Sequence, residues 1–82
     1  MIEFMQAAER KGIKLMKDDL TFIKKHLPSL PYNLRKSILR RYIEIWHQTM
    51  AECESEILGM NLGRRSANMY LLEQTNGFTE LK

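Results

Sequence analysis

Apolar side chains recur every three or four residues along most of this chain, a spacing that places them on one face of an α-helix. In the first segment, residues 1–11, Ile2, Met5 and Ala8 fall on such a face. The segment ends at Gly12, and glycine most often takes the left-handed conformation that follows a helix. We therefore predict a first helix over residues 1–11.

A second amphipathic segment covers residues 13–27. Its apolar face consists of Ile13, Met16, Leu20, Ile23 and Leu27. Lysines lie on the remaining surface, as expected for a helix with one side in water. Asp18 or Asp19 can instead cap a shorter helix that starts near Leu20, because a short acidic side chain accepts hydrogen bonds from the first turn. The sequence leaves both starts open.

The longest helical pattern covers residues 30–58. Pro28 and Pro31 precede its regular part, and Ser29 between them is the predicted N-cap. Apolar residues occupy one half of the helical wheel: Leu34, Ile38, Leu39, Tyr42, Ile43, Ile45, Trp46, Met50, Cys53 and Ile57. A face half a turn wide suits a helix with several neighbours, whereas a coiled-coil seam is narrower. We expect the other helices to pack around this one.

Two glycines, Gly59 and Gly63, predict a short loop after the long helix. Residues 64–74 form the last predicted helix, which ends at the turn signal Asn76-Gly77. The whole pattern predicts an all-α fold, a compact bundle of about four helices around one long central helix.

Length and composition narrow the functional classes. Residues 1–82 give room for one domain, and a domain of this size buries only about 60% of the surface of its unfolded chain, too little to enclose a deep catalytic cleft. With 44% hydrophobic and 28% charged residues, the chain is expected to fold. It has one cysteine, no signal-peptide pattern and no apolar run of about 18 residues, so we expect a cytoplasmic protein that does not span a membrane.

Few residues suit catalysis or metal binding. His26 and His47 are far apart and lack the closely spaced partners of a metal site. Cys53 falls on the apolar face of the long helix, where a thiol behaves as a small hydrophobe. A solvated acidic face accounts for the carboxylates near the end of that helix, Glu52, Glu54 and Glu56. We therefore expect no metal, no cofactor and no enzymatic activity.

The net charge of +3 is unevenly distributed, because residues 1–41 carry ten basic and four acidic side chains whereas residues 42–82 carry three and six. Four basic side chains lie at the start of the long helix: Arg35, Lys36, Arg40 and Arg41. Cations at that end oppose the helix macrodipole by about 0.3–1 kcal/mol each, so an external polyanion is one physical cause for them. The alternative is neutralisation by carboxylates of neighbouring helices, Asp18, Asp19 or Glu73.

Arg64 and Arg65 follow Gly63 at the start of the last predicted helix. Guanidinium groups and free backbone N–H groups at a helix N-terminus together suit a phosphate. Asn68 lies one turn later and can read adenine in the major groove, although an asparagine in a small domain more often bonds to a neighbouring backbone. The predicted DNA site therefore consists of Arg35, Lys36, Arg40, Arg41, Arg64, Arg65 and Asn68.

Two stretches, LPYNLRKSILRRYIEIW at residues 30–46 and GRRSANMYLLEQ at residues 63–74, resemble a known family. They are similar to the helical region upstream of the nuclease domain in the gene A replication proteins of temperate tailed phages, rolling-circle initiators of the HUH endonuclease type. Neither histidine belongs to the His-hydrophobic-His motif of that family, so its nicking chemistry is not implied. The resemblance implies DNA contacts by Arg35, Arg40, Arg41, Arg64, Arg65 and Asn68, and structural roles for Tyr32, Tyr42 and Tyr70.

Three functional hypotheses follow from the sequence. The first is a DNA-binding module in the replication of a phage or other mobile element, which holds phosphates on its basic helix faces. The second is a small phage-encoded adaptor or inhibitor that docks an exposed apolar face on a larger replication or host protein. The third is a homodimer held by the wide apolar face of the long helix. Salt-dependent DNA binding, a copurifying protein and the oligomeric state distinguish them.

Overall fold

The computed structural model describes residues 2–80 of the chain, with side chains up to residue 76. This part forms an all-α bundle, as predicted. Its elements are α1 (Ile2–Arg10), α2 (Lys17–His26), a 3₁₀ turn (Leu27–Ser29), α3 (Tyr32–Ala51) and α4 (Glu56–Glu80). The two long helices, α3 and α4, run antiparallel, while α1 packs on α3 and α2 packs on α4.

The first helix ends in the glycine turn that the sequence predicts. Gly12 has a φ of 75°. Its N–H donates to the carbonyl of Glu9 and the N–H of Ile13 donates to the carbonyl of Ala8, both at 3.0 Å. This is the Schellman arrangement, and the buried pair Ala8 and Ile13 supplies its usual apolar contact. The turn therefore fixes where the chain leaves α1.

The buried face of α1 is rotated from the predicted one. Phe4 and Ala8 are buried, whereas Ile2 and Met5 are exposed. The ring of Phe4 packs against the ring of Tyr42 on α3, with their centroids 5.9 Å apart. Because an aromatic side chain buries more apolar surface than Ile2 or Met5, Phe4 sets the orientation of the helix.

The second helix begins at Lys17, between the two predicted starts. Asp19 lies in its first turn, and its Oδ2 accepts a hydrogen bond from the Met16 N–H at 2.8 Å. Neither Asp18 nor Asp19 is the N-cap, which is Met16. Met16 was expected on the apolar face but is exposed, because it precedes the helix.

The third helix begins at Tyr32, two residues later than predicted. Ser29 belongs to the 3₁₀ turn, so the N-cap position falls to Pro31. The N–H of Leu30 donates to the carbonyl of Leu27 at 3.0 Å, which closes that turn. The two prolines separate the turn from α3, since a residue before proline avoids helical geometry.

The predicted long helix is broken, because α3 ends at Ala51 and α4 begins after a link at residues 52–55. The Oγ of Ser55 accepts a hydrogen bond from the N–H of Leu58 at 3.3 Å, so Ser55 caps α4. Cys53 lies in this link and is partly exposed, and the prediction of a cysteine buried on a helix face was wrong. The predicted central helix is therefore a pair of helices joined by a short turn.

The carboxylates Glu52, Glu54 and Glu56 are exposed, as expected. They were predicted near the end of one long helix, but they lie at the link between α3 and α4. Glu54 immediately precedes the cap of α4, and Glu56 is its first residue. A helix N-terminus favours negative charge. Glu54 and Glu56 therefore stabilise the start of α4, whereas Glu52 is the C-cap of α3.

Gly59 and Gly63 lie inside α4 and not in a loop. A Cβ atom at Gly63 would lie 2.4 Å from Cδ1 of Trp46 and 2.8 Å from its carbonyl oxygen. A Cβ atom at Gly59 would lie 3.3 Å from the Met50 backbone. Ala67, one turn further along α4, is fully buried. Small residues four apart thus allow close contact between α4 and α3, and this contact outweighs the low helix propensity of glycine.

The core lies between the two long helices and beneath α1 and α2. Its buried apolar residues are Phe4, Ala8, Ile13, Ile23, Leu30, Ile38, Tyr42, Ile43, Trp46, Ala67 and Leu71. The predicted helix end at Asn76-Gly77 was wrong, because α4 continues to Glu80. The central position predicted for one helix is shared by α3 and α4.

Candidate nucleic-acid interface

Arg64 is held inside the bundle. Since α4 begins at Glu56, both Arg64 and Arg65 lie two turns inside the helix. The prediction that free backbone N–H groups lie beside them was wrong. The Arg64 Nε donates to Oδ1 of Asp19 at 2.8 Å, and these side chains are 22% and 4% exposed. The guanidinium also lies 5.1 Å from the ring centre of Trp46. Arg64 is therefore not available as a DNA contact.

Asn68 is also engaged within the fold. The hydroxyl of the buried Tyr42 donates to Oδ1 of Asn68 at 2.6 Å. Burial, with a smaller effect of the Asp19 carboxylate, raises the pKa of the Tyr42 hydroxyl, so the group keeps its proton and remains a donor. Bidentate reading of adenine needs the amide oxygen that Tyr42 occupies. Asn68 is therefore not available to read a base. It was expected to bond to a neighbouring backbone, but its partner is the side chain of Tyr42.

Arg35 closes the turn that precedes α3. Its Nε donates to the carbonyl of Leu30 at 3.1 Å, and its Nη2 donates to the carbonyl of Pro28 at 3.4 Å. Its guanidinium lies 5.5 Å from the ring centre of Tyr32. These contacts give a structural reason for a cation near the start of α3. Arg35 contributes a fixed positive charge to the surface.

Lys36 and Arg41 form exposed ion pairs. The Lys36 Nζ lies 3.8 Å from Oε2 of Glu3, and the Arg41 Nη1 lies 3.1 Å from Oε2 of Glu44. Exposed pairs of this kind contribute at most about 1 kcal/mol and are screened by salt. The carboxylates that were expected to neutralise this helix were Asp18, Asp19 and Glu73. Among the described residues, none of the ion pairs joins any of these three carboxylates to the start of α3.

Arg40 and Arg65 are exposed, and neither takes part in an ion pair within the described part of the chain. They lie on different surfaces. Arg40 lines a groove between α1 and α3, whereas Arg65 does not line it. The predicted site is therefore not one continuous surface, and its residues of α3 separate from those of α4.

The groove between α1 and α3 is open and has a volume of about 860 Å³. Its apolar lining consists of Phe4, Ala7, Leu27, Leu39 and Ile43. Its basic side chains are Arg10, Lys11, Arg35, Lys36 and Arg40, and its carboxylates are Glu3 and Glu44. The groove thus brings together three residues of the predicted site with two cations from the end of α1.

The groove is also lined by Arg10, Lys11 and Tyr32, which were absent from the predicted site. Arg10 and Lys11 immediately precede Gly12, and a helix C-terminus favours cations for reasons of its own, so local reasoning gives no sign of a shared surface. Tyr32 was predicted to be structural, but its side chain is exposed at the groove. The docking of α1 across α3 creates this site, and that contact is not encoded in either segment alone.

Other candidate chemistry is sparse in the part of the chain that the structure describes. There, no group of three His, Cys, Asp or Glu side chains is arranged to hold a metal ion. The ring of His26 packs against Phe22, with centroids 4.6 Å apart, and His47 is exposed. Among the same residues, no helix is long and apolar enough to span a bilayer.

No protein-family model matches this chain, and neither a curated protein nor a solved structure matches it. The resemblance to phage initiators stays a prediction. The groove and its charges are therefore the basis on which a function is argued.

Proposed function

We propose that this chain is a DNA-binding module that holds phosphates along the groove between α1 and α3. The charge of the groove carries the proposal, because its lining includes five cations and two carboxylates, an excess of positive charge. A concave surface with this excess of positive charge concentrates a polyanion. Lysine and arginine contacts to phosphate supply the sequence-independent part of DNA affinity.

Four of the five groove cations are available for an external ligand, and the fifth, Arg35, is held by backbone carbonyls. Arg10, Lys11 and Arg40 are exposed, and the ion pairs of the described residues do not include them. Lys36 and Glu3 are 79% and 84% exposed at their side chains, so releasing Lys36 costs at most about 1 kcal/mol. These four residues are the proposed phosphate contacts. Arg41 is an additional candidate beside them, once it leaves Glu44.

The proposed contacts are with the DNA backbone and not with base edges in the major groove. Asn68 and Arg64, the residues that best suited base or phosphate recognition in the sequence, are bonded to Tyr42 and Asp19. Phosphate contacts position a protein on DNA without reading its sequence. We therefore propose binding of low sequence specificity.

The biological setting rests on the resemblance of residues 30–46 and 63–74 to phage initiators. On that basis, we propose a role in the cytoplasm during replication of a phage or other mobile element, beside a larger replication protein. The proposal includes no catalytic step.

Fluorescence anisotropy with a labelled oligonucleotide tests DNA binding. The double variant Lys36→Gln/Arg40→Gln should bind more weakly, and the slope of log affinity against log salt should fall by about 0.7–0.9 for each lost phosphate contact. Lys24→Gln/Lys25→Gln is the matched control, because it removes the same charge from exposed positions of α2 that do not line the groove. This control should retain most of the affinity.

Three results would contradict the proposal. The first is an absence of binding at about 50 mM salt, where phosphate contacts are stronger than at physiological salt. The second is affinity that does not change with salt. The third is an equal loss in both double variants, because binding would then depend on net charge and not on the groove.

A second candidate function is a protein-binding adaptor or inhibitor, and exposed apolar residues of α4 favour it. They are Ile57, Leu58, Leu62 and Met69. Leu58, Leu62 and Met69 are spaced four and seven residues apart and lie on one helix face. An exposed apolar cluster often marks a protein contact.

Purification after nuclease treatment distinguishes this adaptor from the DNA-binding module. If the chain does not bind DNA at low salt and a protein copurifies with it, but not with Leu58→Glu/Met69→Glu, the adaptor replaces the DNA-binding module. If light scattering instead shows a dimer that this variant dissociates, the α4 face binds a second copy of the chain.

A further inference from the structure

We infer that the groove accepts a single DNA strand and that Tyr32 stacks on one of its bases. The inference rests on the proposed DNA-binding function and specifies the ligand of the same site. It is carried by an exposed aromatic ring, held beside cations, at a groove with an apolar lining.

Tyr32 is the first residue of α3 and is 84% exposed. A ring with this exposure buries too little apolar surface to contribute much to the core, in contrast to the fully buried Tyr42. It nevertheless lines the groove beside Arg35 and Lys36. The ring is therefore available to a ligand that enters the groove.

Arg35 restricts the position of this ring. Its guanidinium lies 5.5 Å from the ring centre of Tyr32, within the range of a cation–π interaction. The guanidinium is itself held by hydrogen bonds to the carbonyls of Leu30 and Pro28. An aromatic side chain that is already restrained loses less conformational entropy when it binds a ligand. Tyr32 is thus a prearranged platform.

The lining of the groove fits a single strand better than a duplex. A duplex keeps the faces of its bases stacked inside and presents phosphates to the groove, so the exposed Tyr32 ring and the partly exposed part of the apolar lining, Ala7, Leu27 and Leu39, would have no partner. A single strand offers phosphates to the cations and base faces to the ring and the apolar residues. Both parts of the lining then have a partner.

The dimensions of the groove limit the ligand to a short stretch of strand. The nine residues of α1 form one wall, which at about 1.5 Å per residue is about 14 Å long. A stacked strand advances about 3.4 Å per nucleotide, so about four nucleotides lie along the wall. One or two bases within that stretch reach Tyr32, at the end where α3 begins.

Three labelled probes of equal length test the inference by anisotropy: an oligothymidine, an abasic strand and a blunt duplex. A length of about 12 nucleotides lies within the site sizes of proteins that bind single strands. The abasic strand has the same phosphates as the oligothymidine and no bases. The oligothymidine should bind more tightly than either of the other probes.

Variants of Tyr32 identify the stacking contact. Tyr32→Leu should weaken oligothymidine binding by about 5-fold to 150-fold, the range for loss of one stacked base. Its affinity for the abasic strand and the duplex should not change. Tyr32→Phe retains the ring and should restore oligothymidine binding. Circular dichroism and the urea midpoint should show that both variants are folded, because an exposed substitution rarely changes stability by more than about 0.5 kcal/mol.

The outcomes separate this inference from the function on which it rests. If none of the probes binds at low salt, both are wrong. If the duplex binds as tightly as the oligothymidine, or if Tyr32→Leu binds the oligothymidine as well as the unaltered chain does, the inference is wrong and the DNA-binding module stands. If an acidic peptide of equal charge displaces the oligothymidine as well as unlabelled DNA does, a protein ligand is indicated and the inference is overturned.

Discussion

Replacement of Gly63 by alanine should destabilise the contact between α3 and α4. The new Cβ would lie 2.4 Å from Cδ1 of Trp46, 2.9 Å from its Nε1 and 2.8 Å from its carbonyl oxygen. Trp46 is fully buried, so its indole has no free space into which to move. Its carbonyl oxygen belongs to the backbone, and only a separation of the two helices can relieve that contact.

Two opposing effects set the size of the change. Alanine is favoured over glycine inside a helix by about 0.8–1.0 kcal/mol. Overpacking a tight contact costs about 1–3 kcal/mol or more, and a clash with the backbone belongs at the upper end. We therefore expect Gly63→Ala to lower the free energy of unfolding by about 2 kcal/mol, the difference between these terms.

Gly59→Ala is the matched control. It gains the same helix propensity, but the nearest atoms, in Cys53 and Met50, lie 3.2–3.3 Å from the new Cβ. A shift of a few tenths of an ångström relieves those contacts. We therefore expect its free energy of unfolding to remain within about 0.5 kcal/mol of the original value.

Urea unfolding, followed by circular dichroism and by the fluorescence of Trp46, measures both variants. With a denaturant dependence of about 1 kcal/mol per molar, the midpoint of Gly63→Ala should fall by about 2 M. A midpoint equal to or above that of the unaltered chain would refute the close contact at Gly63. An equal loss in Gly59→Ala would refute the distinction drawn between the two positions.

Three further predictions concern buried polar groups. Asp19→Asn should lower the free energy of unfolding by about 3 kcal/mol in urea titrations, because Arg64 then keeps a partly buried charge without its carboxylate; a loss below about 1 kcal/mol would contradict this. Asn68→Ala should cost about 1–3 kcal/mol, because the Tyr42 hydroxyl loses its acceptor, yet DNA affinity should not change. Weaker DNA binding by that folded variant would indicate that Asn68 contacts DNA. The contribution of Tyr42 to stability should be constant below a pH of about 10 and fall above it, because burial raises the pKa of Tyr42 in the fold and the unfolded chain releases this proton first. Urea midpoints across that range should fall less in Tyr42→Phe, and an equal fall would contradict the assignment.

Local signals in the sequence were sufficient for α1 and most of α2. Gly12 marks the end of α1 through a backbone conformation that few other residues adopt, so the signal does not depend on distant contacts. Which face α1 buries was not predictable in the same way. It depends on Phe4 meeting Tyr42, which lies in another helix.

The break between α3 and α4 was missed because the apolar spacing continues across it. Cys53 and Ile57 extend the face of Met50 at helical intervals, although the chain turns between them. A signal was available in Ser55, which has the side chain of an N-cap and is followed by Glu56. Periodicity alone does not distinguish one long helix from two helices that share an apolar face.

The glycines of α4 were misinterpreted for a related reason. Without a neighbouring helix, Gly59 and Gly63 indicate a loop, because glycine is a poor helix former. Together with Ala67 they form a row of small residues at intervals of four, which indicates that another helix passes close by. The meaning of a glycine here depends on its neighbours in the fold.

The candidate site was only partly predictable. The sequence identified the basic half of the chain, and Lys36 and Arg40 do line the groove. It could not distinguish them from Arg64, whose carboxylate partner Asp19 is distant in the chain. Which cations are neutralised inside a fold depends on tertiary contacts, and the pattern of residues along the chain does not show those contacts.

The contact between Asp19 and Arg64 also has a consequence for the order in which the protein takes shape during synthesis. The segments of α1 and α2 leave the ribosome before α4 exists, and Asp19 meets its cation only after α4 has been made. We expect the N-terminal third to remain loosely packed until the two long helices pair and offer it a surface. The groove lies between α1 and α3 and none of its lining residues belongs to α4, so all of them have been made before Asp19 meets its cation.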